Sequence, residues 1–195
     1  MPFLVTSRAV LFWGLSIAVA LVSWRFVVLG VPMGMPFMAY RLDGQALTLY
    51  AHIGLAPVAL IVLPVQFSPR LRKARPGLHR WMGRVYGAAV VVSGLAGLAL
   101  AMTTRAGPVA AWGFGALAVL WLGATVWAVW LAMAGRIAEH RRWMLRSAAL
   151  TFAAVTLRLY LPILAAVLGF DTAYAMVAWL AWVPNMLIAE AWLRR

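Results

Sequence analysis

The sequence predicts an all-α, polytopic membrane protein: a bundle of six transmembrane helices. Of its 195 residues 66% are hydrophobic and only 11% are charged, and the mean hydropathy is +0.93. A soluble domain needs far more charge on its surface. The apolar stretches run about 20 residues or more, long enough to cross a hydrocarbon core of about 30 Å as helices. Residues 1–195 are therefore interpreted as a single integral membrane domain with little outside the bilayer.

The first span is predicted over residues 9–30. Its start resembles a signal peptide, but the apolar run continues to about Gly30, contains Trp24 and Arg25, and lacks a small-residue cleavage pattern. We therefore interpret it as a retained helix.

Joints rich in proline and glycine divide the rest of the chain into five further spans. Helices are expected throughout, because backbone that faces lipid must satisfy its own hydrogen bonds. The joint at residues 169–171 is so short that the last two helices should be antiparallel neighbours. The five spans are predicted at 46–67, 79–103, 110–134, 142–169 and 172–193.

Basic residues set the predicted orientation, because short cytoplasmic loops collect arginine and lysine. Six spans place 13 of the 17 basic residues at one face, which we assign to the cytoplasm together with both termini. The protein is then expected in the inner membrane of a bacterium. The 13 residues are Arg8, Arg70, Arg72, Lys73, Arg75, Arg80, Arg84, Arg136, Arg141, Arg142, Arg146, Arg194 and Arg195. Because this charge lies in short loops between spans, a net charge of +13 does not indicate nucleic-acid binding.

A short polar phrase occurs twice, as LHRWMGRVYG (78–87) and EHRRWMLRSA (139–148). It places His79 and His140 at the cytoplasmic starts of two helices, about 61 residues apart, which suggests two copies of one helical hairpin. Two imidazoles could ligate heme b iron or a divalent metal, with Glu190 as a third metal ligand. The alternatives are that tryptophan and arginine only anchor the interface, and that Glu190 pairs with an arginine.

A second set of polar residues is expected near the outer side: His52, Arg25 and Arg158. An arginine in hydrocarbon costs a few kcal/mol, so Arg158 should face the bundle interior with a partner. The plain interpretation is an internal ion pair to Asp43 or Asp171 and a helix-helix hydrogen bond from His52.

The functional interpretation is a cationic outer pocket formed by these three side chains. Such a pocket would suit a quinone, a heme propionate or a small organic anion. Tyr50 and Tyr160 could supply hydroxyl groups there. Pro162 and Pro184 are expected to kink the last two spans and to open space at depth.

Several chemistries are disfavoured. The chain has no cysteine, so it has neither disulfides nor thiolate metal sites. It lacks a Walker loop, an HExxH motif and a Gly-x-Ser-x-Gly motif, which weakens the protease and ATPase hypotheses. Three methionines in residues 33–38 could bind Cu(I), although such a segment is more often an interfacial loop.

These phrases together resemble a bacterial family of predicted membrane proteins, domain of unknown function 2306. The resemblance covers about residues 46–165 and implies that His52, His79, His140 and Arg158 belong to a family pattern. A weaker similarity is to cytochrome b561-type electron carriers, although those with two hemes need four histidines and this chain has three. The matching phrases are His52-Ile53, Gln66-Phe67, Leu78-His79-Arg80-Trp81, Gly83-Arg84-Val85-Tyr86, His140-Arg141-Arg142-Trp143-Met144 and Thr156-Leu157-Arg158.

Three function hypotheses follow from the sequence. The first is a redox-type membrane protein that binds heme or a metal at His79 and His140 and a quinone-like ligand near His52 and Arg158. The second is a transporter or sensor of a small organic anion or lipid, with Arg25 and Arg158 as the binding charges. The third is a structural subunit. The expected partners are the lipid bilayer, a quinone or small organic anion, and further copies of the chain; nucleic acid is not expected.

Overall fold

The computed structural model describes residues 2–195, with side chains from Val10 onward, and this part of the chain is helical with no strand. Arg8, one of the predicted cytoplasmic basic residues, has its side chain outside the described set. The helices are α1 Pro2–Ser23, α2 Phe26–Gly34, a 3-10 helix Pro36–Arg41, α3 Leu42–Gln66, α4 Pro69–Ala74, α5 Pro76–Met102, α6 Gly107–Met133, α7 Ile137–Thr151, α8 Ala153–Leu168, α9 Phe170–Leu180 and α10 Val183–Leu193.

Five helical segments are long and apolar enough to cross a membrane, which confirms the all-helical membrane fold. A sixth is obtained if α1 and α2 count as one bent span. The five segments are Pro36–Gln66, Pro76–Met102, Gly107–Met133, Ile137–Leu168 and Phe170–Leu193.

The span predicted over residues 9–30 is bent in the structure. The chain turns by 68° between Ser23 and Phe26, so that α2 leaves the direction of α1. The Arg25 side chain holds the turn, because its Nε donates to the carbonyl of Gly34, 2.5 Å away. The outer face of α2 carries exposed apolar residues such as Val28 and Met33, which suits a helix lying in the membrane interface.

Glycine and proline end and begin the helices at the joints. Gly135 and Gly169 follow α6 and α8 with φ of 74° and 79°, a left-handed backbone that favours glycine. Pro76 and Pro108 lie in the first turns of α5 and α6, where the missing N–H costs nothing.

Inside the last two spans, breaks lie at Phe152 and at Ala181–Trp182. The second break comes just before Pro184, as the predicted kink requires. The helix α8 instead runs through Pro162, and its break lies ten residues earlier.

The helices pack in chain order as an antiparallel bundle: α3 on α5, α5 on α6, α6 on α7, and α8 on α9, with α1 against α3. One end of the bundle, which we name the basic end, holds the joints at 67–75 and 134–136 and the C-terminus. The opposite end, which we name the cavity end, holds the turn at 24–25, the 3-10 helix and the joints at 103–106 and 169. The assignment of the basic end to the cytoplasm stays a prediction.

The two copies of the repeated phrase meet inside the bundle. The hydroxyls of Tyr86 on α5 and Ser147 on α7, 61 positions apart, lie 2.6 Å from each other. The Tyr86 hydroxyl also lies 2.6 Å from Thr151 Oγ1, and Ser147 Oγ lies 2.6 Å from Thr125 Oγ1. We name these four residues the hydroxyl cluster. Hydrogen bonds of this kind join helices in an apolar surrounding.

Candidate functional site

A cavity of about 280 Å³ lies within the bundle between the cavity end and the hydroxyl cluster. It is bordered by the turn after α1, the 3-10 helix, α3, α5, α6, α7, α8 and α9, so that it requires almost the whole bundle. Its polar lining consists of Ser23, Arg25, Arg41, His52, Thr104, Thr151, Arg158 and Tyr174. The structure therefore brings Arg25, His52 and Arg158 to the border of one cavity.

Arg158 enters the cavity from α8. Its Nη1 donates to the carbonyl of Ala154, one turn earlier on the same helix, at 2.9 Å. Arg25, a second cation, lines the same cavity. A guanidinium has five N–H donors, so a single backbone carbonyl leaves most of its hydrogen-bonding capacity for a ligand.

His52 lies on α3 opposite Gly97 of α5. Its Nδ1 is 2.8 Å from the carbonyl of Ser93. Because a carbonyl only accepts, Nδ1 carries the proton and Nε2 is the ring nitrogen left for another partner. A Cβ atom at Gly97 would lie 2.9 Å from the imidazole ring, so the glycine makes room for this histidine.

Arg41, at the end of the 3-10 helix, is a cavity residue that we did not predict. Its side chain is 2% exposed. It donates to Gln45 Oε1 and Thr103 Oγ1, both at 2.6 Å, and to the carbonyl of Leu100 at 2.8 Å. These partners are all neutral, and its Nε has no hydrogen-bond partner within the described side chains. The charge of Arg41 is thus solvated by dipoles but not neutralised.

The carboxylates of the protein all lie elsewhere. The sequence has four acidic residues, and none of them lines the cavity. Asp43 and Asp171 are exposed, while Glu139 and Glu190 pair with arginines. The predicted ion pairs from Arg158 to Asp43 or Asp171 are therefore not formed among the described side chains. Three guanidiniums border one cavity without a counter-ion.

Tyr174 of α9 supplies the aromatic hydroxyl of this cavity. Its ring packs on Phe37 and Phe114, with centroids 6.0 and 5.2 Å away. The expected tyrosines, Tyr50 and Tyr160, do not line the cavity and expose 44% and 39% of their surfaces. They lie on the outward faces of α3 and α8, a difference that spacing along one helix does not reveal.

The basic end holds the other candidate residues. His140 Nδ1 lies 2.8 Å from the carbonyl of Ala128, so it donates there and Nε2 is the ring nitrogen left for another partner. His79 has a buried Nδ1 without a hydrogen-bond partner among the described residues. Both residues lie in the first turns of helices that begin at the basic end, His79 in α5 and His140 in α7. The two histidines of the repeated phrase therefore share one region of the bundle.

Glu190 does not join these histidines as a third metal ligand. Its carboxylate accepts from Nε and Nη2 of Arg146 at 2.5 and 3.0 Å. Across the described side chains, no group of three or more histidine or acidic residues is placed to hold a metal ion. The alternative expected from the sequence, a Glu190–arginine pair, is the arrangement found.

A family model described as predicted membrane protein (DUF2306) matches residues 49–193. The match includes His52, His79, His140 and Arg158, whereas Arg25 and Arg41 precede it. Searches of curated proteins and of solved structures return no match, so the similarity to cytochrome b561-type carriers has no support there.

Proposed function

Because the chain belongs to the DUF2306 family of predicted membrane proteins, and this membership indicates no activity, we propose a function from its cavity. The protein binds a small organic anion inside the bundle, as a transporter or sensor. The family description gives only a membrane location. One observation carries the proposal. Arg25, Arg41 and Arg158 border a cavity that no carboxylate lines. Arg41 is buried, and Arg25 and Arg158 are partly buried. Charges withdrawn from water are normally paired, and an anionic ligand supplies the missing charge.

Physical chemistry supports the choice of an anion over a neutral quinone. Guanidiniums bind carboxylates and phosphates through paired N–H donors, with hydrogen bonds stronger than those to neutral acceptors. Arg41 is held by three neutral partners, so it is positioned before a ligand arrives. A positioned site loses less conformational entropy on binding.

The test is a thermal-shift measurement on the purified protein with phosphate, succinate, benzoate and decanoate. At 100 times its Kd a ligand stabilises the folded state by about 2.7 kcal/mol, which is about 5 °C or more in Tm for a chain of this size. We expect at least one of these anions to raise Tm in the wild type and none to do so in Arg158→Leu.

Arg105→Leu is the matched control. Arg105 carries the same charge at the same end of the bundle, but it is exposed, lies over the ring of Tyr40 and does not line the cavity. Its replacement should leave the anion response unchanged. If Arg158→Leu responds to the anions as the wild type does, the proposal is wrong.

A second candidate function concerns the basic end, where His79 and His140 would bind a heme iron or another metal. The buried Nδ1 of His79, for which the described part of the chain offers no hydrogen-bond partner, favours it. So does His140, whose Nδ1 bond to a backbone carbonyl is the usual way of orienting a metal-ligating imidazole. A reduced-minus-oxidised spectrum and elemental analysis test this candidate. Protein without a Soret band and without bound iron, copper or zinc would eliminate it.

A further inference from the structure

The cavity has two chemically different halves. Below the arginines it continues along α3 from His52 to Leu60, eight residues or about 12 Å toward the basic end. Small side chains leave this space open, and large apolar side chains close it. We name this lower half the cavity floor; it is lined by Ala56, Leu60, Ala118, Trp121, Leu150 and Ala153.

The polar atoms at the cavity floor are already satisfied. Thr151 Oγ1 donates to the carbonyl of Ser147 at 2.8 Å and accepts from Trp121 Nε1 at 2.8 Å. It also shares a hydrogen bond with the Tyr86 hydroxyl. A bound water needs two to four polar partners, which the floor does not offer. Its surface is suited to hydrocarbon.

An inorganic anion at the arginines would leave this floor as an apolar void. Such voids lose packing contacts, and apolar cavities of comparable size take up hydrocarbon ligands. A neutral hydrocarbon would fill the floor but leave three guanidiniums without a counter-ion. A ligand that satisfies both halves needs an anionic group joined to an apolar chain or ring.

We infer that the ligand is an anionic amphiphile, with its carboxylate or phosphate among Arg25, Arg41 and Arg158 and its hydrocarbon on the cavity floor. This inference rests on the proposed anion-binding function and specifies its ligand class. The exposed apolar face of α2, at the cavity end, places the cavity next to the part of the bilayer where such molecules concentrate.

Three probes test the two halves of the cavity separately. Acetate carries the anionic head without the chain, decanol carries the apolar chain without the anionic head, and decanoate carries both. Binding is measured by calorimetry with the whole protein in neutral maltoside micelles. We expect decanoate to bind at least 10-fold more tightly than either acetate or decanol. This comparison needs no variant, so it remains decisive if a substitution impairs folding.

Two substitutions then fill the floor from different helices, Ala56→Phe on α3 and Ala118→Phe on α6. Each should weaken decanoate binding at least 10-fold and leave acetate binding unchanged, whereas Arg158→Leu should weaken both. Leu47→Phe, on α3 but 84% exposed, is the control and should bind decanoate as the wild type does.

The outcomes distinguish the two proposals. If acetate binds as tightly as decanoate, or if both floor variants keep full decanoate affinity, the amphiphile inference is wrong while anion binding stands. If neither acid binds the wild type, and phosphate, succinate and benzoate also fail, both proposals are wrong.

Discussion

At the residue scale, small side chains determine where the polar ones can lie. His52 reaches the carbonyl of Ser93 only because position 97 has no side chain; a Cβ there would lie 2.9 Å from the imidazole ring. Real Cβ atoms do not come so close, and the neighbour is a ring of fixed shape. The histidine and the glycine therefore form one structural unit.

Gly97→Ala should displace His52 and break its bond to Ser93. We expect a loss of about 1–3 kcal/mol from overpacking, together with at least 10-fold weaker anion binding in calorimetry. Gly123→Ala is the control: a helical glycine with open space around it, where alanine should be neutral or stabilise by up to about 1 kcal/mol. Equal anion affinity in Gly97→Ala and wild type would show that the position of His52 does not matter.

At the element scale, hydroxyl bonds join α5, α6 and α7 below the cavity. The Tyr86 hydroxyl lies 2.6 Å from both Ser147 and Thr151. The side chain is fully buried, and its ring packs in the main hydrophobic core. The contact couples the two copies of the repeated phrase and closes the cavity from the basic end.

Tyr86→Phe removes the hydroxyl that bonds both Ser147 and Thr151. We expect it to destabilise the bundle by about 0.5–1.5 kcal/mol for each hydrogen bond lost, measured as a lower Tm. Decanoate binding should persist, because the hydroxyl does not line the cavity. Tyr160→Phe, on an exposed face, should not change Tm. A Tyr86→Phe protein as stable as wild type would contradict the structural role given to the hydroxyl cluster.

At the scale of the whole molecule, the fold separates two kinds of positive charge. The basic end carries arginines and one lysine in the joints and adjoining turns of its helices. Two of these arginines, Arg136 and Arg146, pair with Glu139 and Glu190. The cavity end holds Arg25, Arg41 and Arg158 without a carboxylate in their cavity. The joint at 67–75 lies at the basic end and the joint at 103–106 lies at the cavity end. The chain must therefore cross the membrane an odd number of times between them.

Because the chain has no cysteine, single introduced cysteines report this topology without background. Lys73→Cys and Arg136→Cys should react with an impermeant maleimide from the same side of the membrane. Arg105→Cys and Asp171→Cys should react from the other side. All four positions are exposed. Labelling of positions 73 and 105 from one side would contradict the bundle topology.

The sequence by itself determined the all-helical membrane fold, because apolar length and composition leave a chain in lipid little choice but helices. It also indicated that Arg25, His52 and Arg158 lie near one another, since an arginine in an apolar span must face the interior. Three features depend on which helix faces meet, and the sequence did not reveal them. They are the bend after Ser23, the role of Arg41, and the fact that Tyr174 lines the cavity while Tyr50 and Tyr160 do not. The pairing of helix faces is set by contacts between residues far apart in the chain, such as the contact between Gly97 and His52. Only the tertiary structure decided that Glu190 joins Arg146 and that no carboxylate reaches the cavity, because a charge has no fixed partner until its helix has packed.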